Sequence, residues 1–381
     1  MVIRLFRQES WLTCLEKKAT FNLSETSVLP LCLNEIFEIC YGEDHVDLLP
    51  SLLSKKLDYG EIIGNEKLRC SISKLYDKVS SDFIVSTHGG TGGNSLALRS
   101  LVNDGDEIIC FYPTYQQLYS LPESYGAKIR FLKLKPENRY IPDVEELRNI
   151  ISRKTKGICI NNPNNPTGSL IPNSILREIC EIASSVGAWV LCDETYRELS
   201  FFDRRERQLS VADIYEKGVS VGSVSKSFSA PGLRIGWIAT QNDDILMQIT
   251  LQRDYDHLSC CAPNEIMAAC LINSESILKR NVEVLRENLD CVEAFVKKNK
   301  HLNWVKPNAG STALINYDYN VPSIEFCQSL YVDFGVLLVP GDFYGCPKSF
   351  RLGFACENDT LKSGLNEMGK FIKSKKWEGV V

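Results

Sequence analysis

The feature that most limits what this chain can fold into is an alternation of short apolar runs with amphipathic stretches. Ile108–Tyr112, Ile129–Leu134, Gly157–Asn161, Trp189–Cys192, Val219–Val221 and Ile235–Ala239 read as buried strands, with another at Phe83–Ser86. Between them, Asn94–Val102, Val144–Ser152, Asn173–Val186 and Asp244–Gln252 carry the spacing of helices with one apolar face. Such alternation builds βαβ units around a mostly parallel sheet. A long helical pattern from Glu265 to Lys300 then leaves this region. Strands near Thr312–Tyr317 and Val336–Val339 mark a smaller α/β unit. The expected architecture is α/β, with a large domain over 46–270 and a small domain from 1–45 and 271–381. Residues 1 to 45 are expected to pack on the C-terminal unit.

The bulk numbers exclude several classes. A net charge of -5 over 381 residues gives no electrostatic footprint for nucleic acid or an acidic membrane surface. There is no run of 18 apolar residues, so no membrane span is expected. Met1 to Ser10 lacks a signal-peptide core, and the expected location is cytoplasmic. Fifteen cysteines are scattered, many inside apolar runs such as Cys32, Cys40, Cys110, Cys159 and Cys192, with no CxxC pair. They read as reduced, buried thiols, with no metal site and no disulfide expected.

Four segments carry chemistry. Ser223-Val224-Ser225-Lys226 follows a strand, and Gly232-Leu233-Arg234-Ile235-Gly236 comes soon after. A lysine is a nucleophile only when its amine is kept neutral, and the hydroxyls and guanidinium beside it suit a phosphate monoester. Taken alone, Lys226 reads as a surface lysine in a polar loop. Thr87-His88-Gly89-Gly90-Thr91-Gly92-Gly93-Asn94 is a glycine-rich strand-to-helix turn, whose free N–H groups suit an anion. It matches neither a Walker A loop nor a dinucleotide fingerprint. Asn161-Asn162-Pro163-Asn164-Asn165-Pro166-Thr167-Gly168 is a turn stiffened by two prolines that leaves amide side chains available. In Cys192-Asp193-Glu194-Thr195-Tyr196 an aspartate ends an apolar strand, where α/β sheets bind ligands; its plainer reading is a helix cap.

In this order and spacing the four segments resemble the fold-type I pyridoxal-phosphate (PLP) enzymes, the aspartate-aminotransferase superfamily. The resemblance extends from about Asn22 to the C-terminus and rests on N-P-x-N-P-T-G, D-E-x-Y, S-x-S-K and G-x-R-x-G. It implies a mostly parallel, seven-stranded-type sheet and pyridoxal 5′-phosphate as cofactor. By motif, Lys226 would hold the cofactor as a Schiff base and Asp193 would keep its ring nitrogen protonated. Asn165 and Tyr196 would bond the ring oxygen, and Tyr115 would stack on the ring. Gly90, Thr91, Ser223, Ser225 and Arg234 would hold the phosphate. Tyr59, in Asp58-Tyr59-Gly60, would reach the cofactor of a second subunit, which implies a homodimer. Arg351, in Phe350-Arg351-Leu352-Gly353, would clamp a substrate carboxylate bidentately. One departure is Gly92, where relatives often carry an acidic residue.

The cofactor motifs leave the reaction open, because the carbanion formed at Cα is either reprotonated at the cofactor, giving transamination, or expels a leaving group. Flanking segments, Glu9-Ser10-Trp11-Leu12, Leu23-Ser24-Glu25-Thr26-Ser27-Val28, Arg253-Asp254-Tyr255 and Val339-Pro340-Gly341-Asp342-Phe343-Tyr344-Gly345, resemble the capreomycidine synthase branch. That branch implies a cyclodehydratase acting on a hydroxylated L-arginine to give a cyclic guanidino amino acid such as capreomycidine or L-enduracididine. The alternative is an aminotransferase using 2-oxoglutarate or another keto acid. A guanidinium needs carboxylates or amide oxygens at its far end, and Glu9 and Glu25 are candidates; Asn165 is also expected among the substrate-binding residues. Thr26 is a candidate for the substrate hydroxyl, and His257 for proton donation to it, against a plainer reading as a packed histidine. A regulator on this fold would need a basic DNA-binding helix, and none is read before Asn22.

Overall fold

The computed structural model describes residues 3–44, 48–201 and 207–374. The expected domain boundary at residue 46 lies outside the described residues. Among the described residues, thirteen strands form three sheets. A two-residue strand β1 (Phe21–Asn22) pairs in parallel with β11 (Val336–Leu337). The large sheet contains β2 (Ile84–His88), β3 (Glu107–Tyr112), β4 (Lys128–Lys133), β5 (Thr155–Asn161), β6 (Trp189–Asp193), β7 (Gly218–Ser223) and β8 (Ile235–Thr240). Its order is β2-β8-β7-β6-β5-β3-β4, and every pairing is parallel except those of β8 with its two neighbours. The small sheet runs β12 (Val339–Pro340), β13 (Ser349–Gly353), β10 (Thr312–Tyr317) and β9 (Leu302–Trp304), all antiparallel.

The apolar runs are nearly continuous because both faces of the large sheet are covered. Side chains alternate between those faces. Ile108 and Cys110 of β3 pack with Leu96 and Leu98 of the helix Gly89–Leu101. Ile109 and Phe111 pack with Leu176, Ile179 and Ala183 of the helix Asn173–Val186. The outer strand β4 instead carries Lys128, Arg130 and Lys133, charges that discourage a further strand from pairing there.

Three expectations are corrected. The helical pattern expected from Glu265 to Lys300 is two helices, Ala262–Asn273 and Glu275–Lys298. Between them the Ser274 side chain accepts from the Ile277 N–H and starts the second. That second helix lays Val282, Leu285, Leu289, Val292 and Val296 against the core of the small sheet. Residues 1–45 do not pack as one piece on the C-terminal unit. Strand β1 does, but the helix Leu33–Asp44 sends Ile36 and Cys40 into a cluster with Leu68, Ile72 and Ala268 beside the large sheet. The cysteines are not all thiols: Cys40 is bonded to Cys270 at a Cα–Cα separation of 5.8 Å, the other thirteen being free. The two lie 230 residues apart, so no spacing motif could have exposed the pair. Among the described residues no helix is long and apolar enough to cross a membrane.

Close packing makes one core glycine a direct test of this sheet. A Cβ at Gly157 of β5 would stand 2.2 Å from the Trp189 ring on β6. Gly157→Ala is expected to cost about 2 kcal/mol by overpacking, read as a lower denaturant midpoint at unchanged slope.

Candidate active site

Parallel strands aim their carboxyl ends at one edge, and that edge is where the motif residues converge. Asn161 closes β5, Asp193 closes β6 in register with it, and Ser223 closes β7. They border a cavity of ≈ 490 Å³ whose far walls come from the N-terminal segment and from β13. Of the expected site residues, Glu9, Glu25, Thr26, Gly90, Thr91, Tyr115, Asn165, Asp193, Tyr196, Ser223, Ser225, Lys226, Arg234 and Arg351 line it.

Asp193 is buried, and both carboxylate oxygens are held. Thr195 donates its N–H at 3.0 Å and its hydroxyl at 2.5 Å to Oδ1, and Asn94 Nδ2 donates to Oδ2 at 2.8 Å. Burial pushes its carboxyl above the ordinary value, a shift opposed by those same bonds and by Lys226. Lys226 sits on the turn after β7, half-buried, with Nζ donating to Thr26 Oγ1 at 2.7 Å and Ser27 Oγ at 3.1 Å. Loss of water lowers its pKa, Glu25 opposes the shift, and Arg351 reinforces it. Burial pushes Glu25 up, yet Lys226 and the N–H groups of Ser27 and Thr26 outweigh that and hold it below the ordinary value.

One end of the cavity is built for an anion. The helix Gly89–Leu101 starts directly after β2, so the first-turn N–H groups of Gly90 and Thr91 have no helical partner. Ser223 and Ser225 hydroxyls meet at 2.7 Å. Gly89 has φ +72°, and a Cβ there would lie 2.6 Å from Arg234 Nη2, so the guanidinium lies directly over the glycine turn. A Cβ at Gly90 would approach Thr195 Oγ1 to 2.9 Å. Gly92 leaves the helix start intact. At the other end Arg351, on the middle of β13 and 1% exposed, donates to Asn165 Oδ1 at 3.3 Å and the Ser24 carbonyl at 2.9 Å. Its Nε has no partner. Tyr115 Oη donates to Glu9 at 3.1 Å, and Gln8 Nε2 bonds the same oxygen at 3.1 Å. Burial pushes the Tyr196 phenol up to about 12.

Two expected residues lie elsewhere. His257 does not line the cavity of one chain: the Asp256, His257 and Leu258 N–H groups fold back onto the Arg253 carbonyl. The His257 ring consequently rests on His88 at 4.6 Å, with Nδ1 on Asp256 at 2.7 Å. Tyr59 is 69% exposed and borders a separate cleft with Glu61 and Asn65, so within one chain it does not reach the cavity. The sequence reading missed Asn94, Thr195, Ser27, Gln8 and Glu16, all on the cavity wall. Asn94 and Thr195 stand inside the recognised motifs; Glu16 carries no signal.

The family model for aminotransferase class I and II matches residues 52–367. The chain belongs to this family. A PLP-dependent aminotransferase from Streptococcus suis 89-1591 is 37% identical over 100% of both chains, with TM-score 0.94. Capreomycidine synthase of Streptomyces vinaceus is 28% identical over 83% of this chain and 82% of its own length. The PLP-dependent cyclase OrfR is 24% identical over 98% of both chains, with TM-score 0.89, a likeness of fold. The protein is accordingly a PLP-dependent enzyme of the aminotransferase family acting on small-molecule amino acids. Its cavity fits that cofactor: the glycine cradle with Ser223, Ser225 and Arg234 could take the phosphate, and the buried Asp193 carboxylate the ring nitrogen.

Because the folded pKa of Lys226 is lowered, the unfolded chain binds more protons between that value and 10.5, and stability rises with pH there. In cofactor-free protein, Lys226→Met is therefore expected to raise the melting temperature near neutrality. The gain should shrink as pH rises toward 10.5.

Proposed function

We propose that this enzyme removes water from a hydroxylated L-arginine and closes the guanidine onto the side chain, giving a cyclic guanidino amino acid. The observation that carries the reading is the charge of the wall facing the cofactor residues. Glu9, Glu16 and Glu25 line it, while the guanidiniums lining the cavity are Arg234 and Arg351, one at the phosphate cradle and one at the carboxylate clamp. Among the described residues of one chain, this leaves carboxylates for a substrate side chain and no further arginine. A cationic guanidinium suits that wall better than the second carboxylate of a dicarboxylic acid. The relation to capreomycidine synthase supports the same direction.

When bound, the cofactor supplies an electron sink conjugated to the substrate Cα. Arg351 holds the α-carboxylate, with its orientation set by Asn165 and the Ser24 carbonyl. Lys226, its amine favoured in the neutral form by burial, takes the Cα proton. The bond from the substrate's hydroxyl oxygen to its carbon then breaks, the oxygen leaving as water after gaining one proton. A guanidine nitrogen forms the new C–N bond, loses a proton, and Lys226 returns the first to Cα. One water is lost and no oxidant is needed. Glu9 grips the guanidinium, while Glu25 presents its second oxygen, the first being engaged by the Thr26 and Ser27 N–H groups. We also infer a homodimer, with Tyr59 serving the partner's site.

A second reading, transamination with a keto acid, is favoured by the full-length relation to the Streptococcus suis aminotransferase. Mass spectrometry of PLP-loaded enzyme with arginine, 3-hydroxyarginine, 4-hydroxyarginine and common amino acids, with and without 2-oxoglutarate, decides between the two. Loss of water from one hydroxyarginine without keto acid is expected; glutamate formed only with 2-oxoglutarate would overturn cyclodehydration. Glu9→Gln is expected to raise KM for the guanidino substrate about tenfold, the size of one charged hydrogen bond, and leave a neutral amino acid unchanged. Equal effects on both would remove Glu9 from the guanidine. Sedimentation should give twice the mass of one chain, and Tyr59→Phe should weaken PLP retention without changing that mass.

A further inference from the structure

Thr26 is expected from the sequence to face the substrate hydroxyl, yet its own hydroxyl is occupied by Lys226. The amine donates to Thr26 Oγ1 at 2.7 Å and to Ser27 Oγ at 3.1 Å, across a sequence separation of about two hundred residues. Both residues are buried, at 8% and 3% exposure, so these hydroxyls are not incidental solvent-side partners. Their turn is fixed from three sides. Glu25 accepts both of its N–H groups, at 2.7 and 2.6 Å. Ser311 Oγ donates to the Thr26 carbonyl at 2.7 Å. Gly353 lies so close that a Cβ there would fall 2.1 Å from the Glu25 carbonyl oxygen.

Two hydroxyls accepting from one nitrogen suit this lysine when it is released and not when it is linked to the cofactor. A free ammonium offers three N–H donors and a free amine two donors and a lone pair, whereas a nitrogen linked to an aldehyde carbon keeps one hydrogen at most. We propose that Thr26 and Ser27 are positioning residues that hold the released amine of Lys226 while a substrate amine occupies the cofactor. They thereby stabilise the state in which Lys226 acts as a base. The inference rests on Lys226 being the cofactor lysine, but not on the arginine reading of the substrate.

The test uses PLP-loaded enzyme and 2-aminoisobutyrate, an amino acid with no Cα hydrogen and no charged side group. Its displacement of Lys226 is followed by cofactor absorbance. Thr26→Val is expected to raise the apparent dissociation constant about tenfold, the value of one hydrogen bond to a charged group. Ser27→Ala should act in the same direction, and Thr26→Ser should stay within about twofold of the parent. PLP retention during ultrafiltration should be unchanged or tighter in Thr26→Val, because only the released state loses a partner. A general packing defect would loosen PLP and raise the dissociation constant together, and that outcome overturns the proposal. So does an unchanged dissociation constant in Thr26→Val and Ser27→Ala, or a failure of Thr26→Ser to restore it. Borohydride trapping with peptide mass analysis separates the two levels. A label on another lysine overturns the cofactor assignment and this inference with it. A label on Lys226 with unaltered displacement overturns this inference alone.

Discussion

The carboxylate of Asp193 is the constraint around which this site is assembled. A carboxylate taken from water needs its oxygens satisfied, and here two segments do it while a third holds the main-chain carbonyl of the same residue. The turn after β6 returns Thr195, and the helix Gly89–Leu101 contributes Asn94. The Asp193 carbonyl accepts from Asn161 Nδ2 at 3.0 Å and from the Asn162 N–H at 2.9 Å, which brings in the proline-rich turn. The glycine cradle and the asparagine turn are therefore parts of one hydrogen-bonded floor. Were Asp193 placed one residue earlier, the alternation of the strand would turn its side chain to the opposite face of the sheet.

Around that floor the charges are sorted by location. Arg234 stands over the glycine turn, Arg351 is locked into the small sheet, and the charged side chains that the N-terminal segment brings to the cavity are Glu9, Glu16 and Glu25. Lys226 lies between them, its amine destabilised in the charged form by burial and Arg351, and partly restored by Glu25. That balance shifts the amine toward its neutral, nucleophilic form. The same turn that carries Glu25 also carries the hydroxyls on the amine, so the charge balance and the aim of Lys226 share one short segment.

Much of the large sheet was legible because strands buried on both faces must be apolar almost throughout, and helices packed on them must show one apolar face. Asn165, Asp193, Ser223, Lys226 and Arg234 were legible for a related reason. The first four sit at or past the end of such a strand and Arg234 directly before the start of β8. At two positions where the structure departs from those expectations, a few local hydrogen bonds decide the outcome. His257 looked available until the turn after Arg253 folded it onto His88. The long helical pattern hid a break because a single serine cap carries little weight against strong periodicity on both sides.

The sequence by itself determined the α/β class, the order of the strands' terminal motifs and the chemical kit for PLP, since periodicity and turn chemistry are local properties. Only the tertiary structure decided which residues surround the amine of Lys226. It also decided that Glu16 joins Glu9 and Glu25 on one wall, and that Cys40 meets Cys270. Those are meetings of segments far apart along the polypeptide. Around the cavity their geometry is set by how the N-terminal segment and β13 pack across the mouth of the large sheet, and at the disulfide by how the helices Leu33–Asp44 and Ala262–Asn273 pack together, which no window of sequence contains.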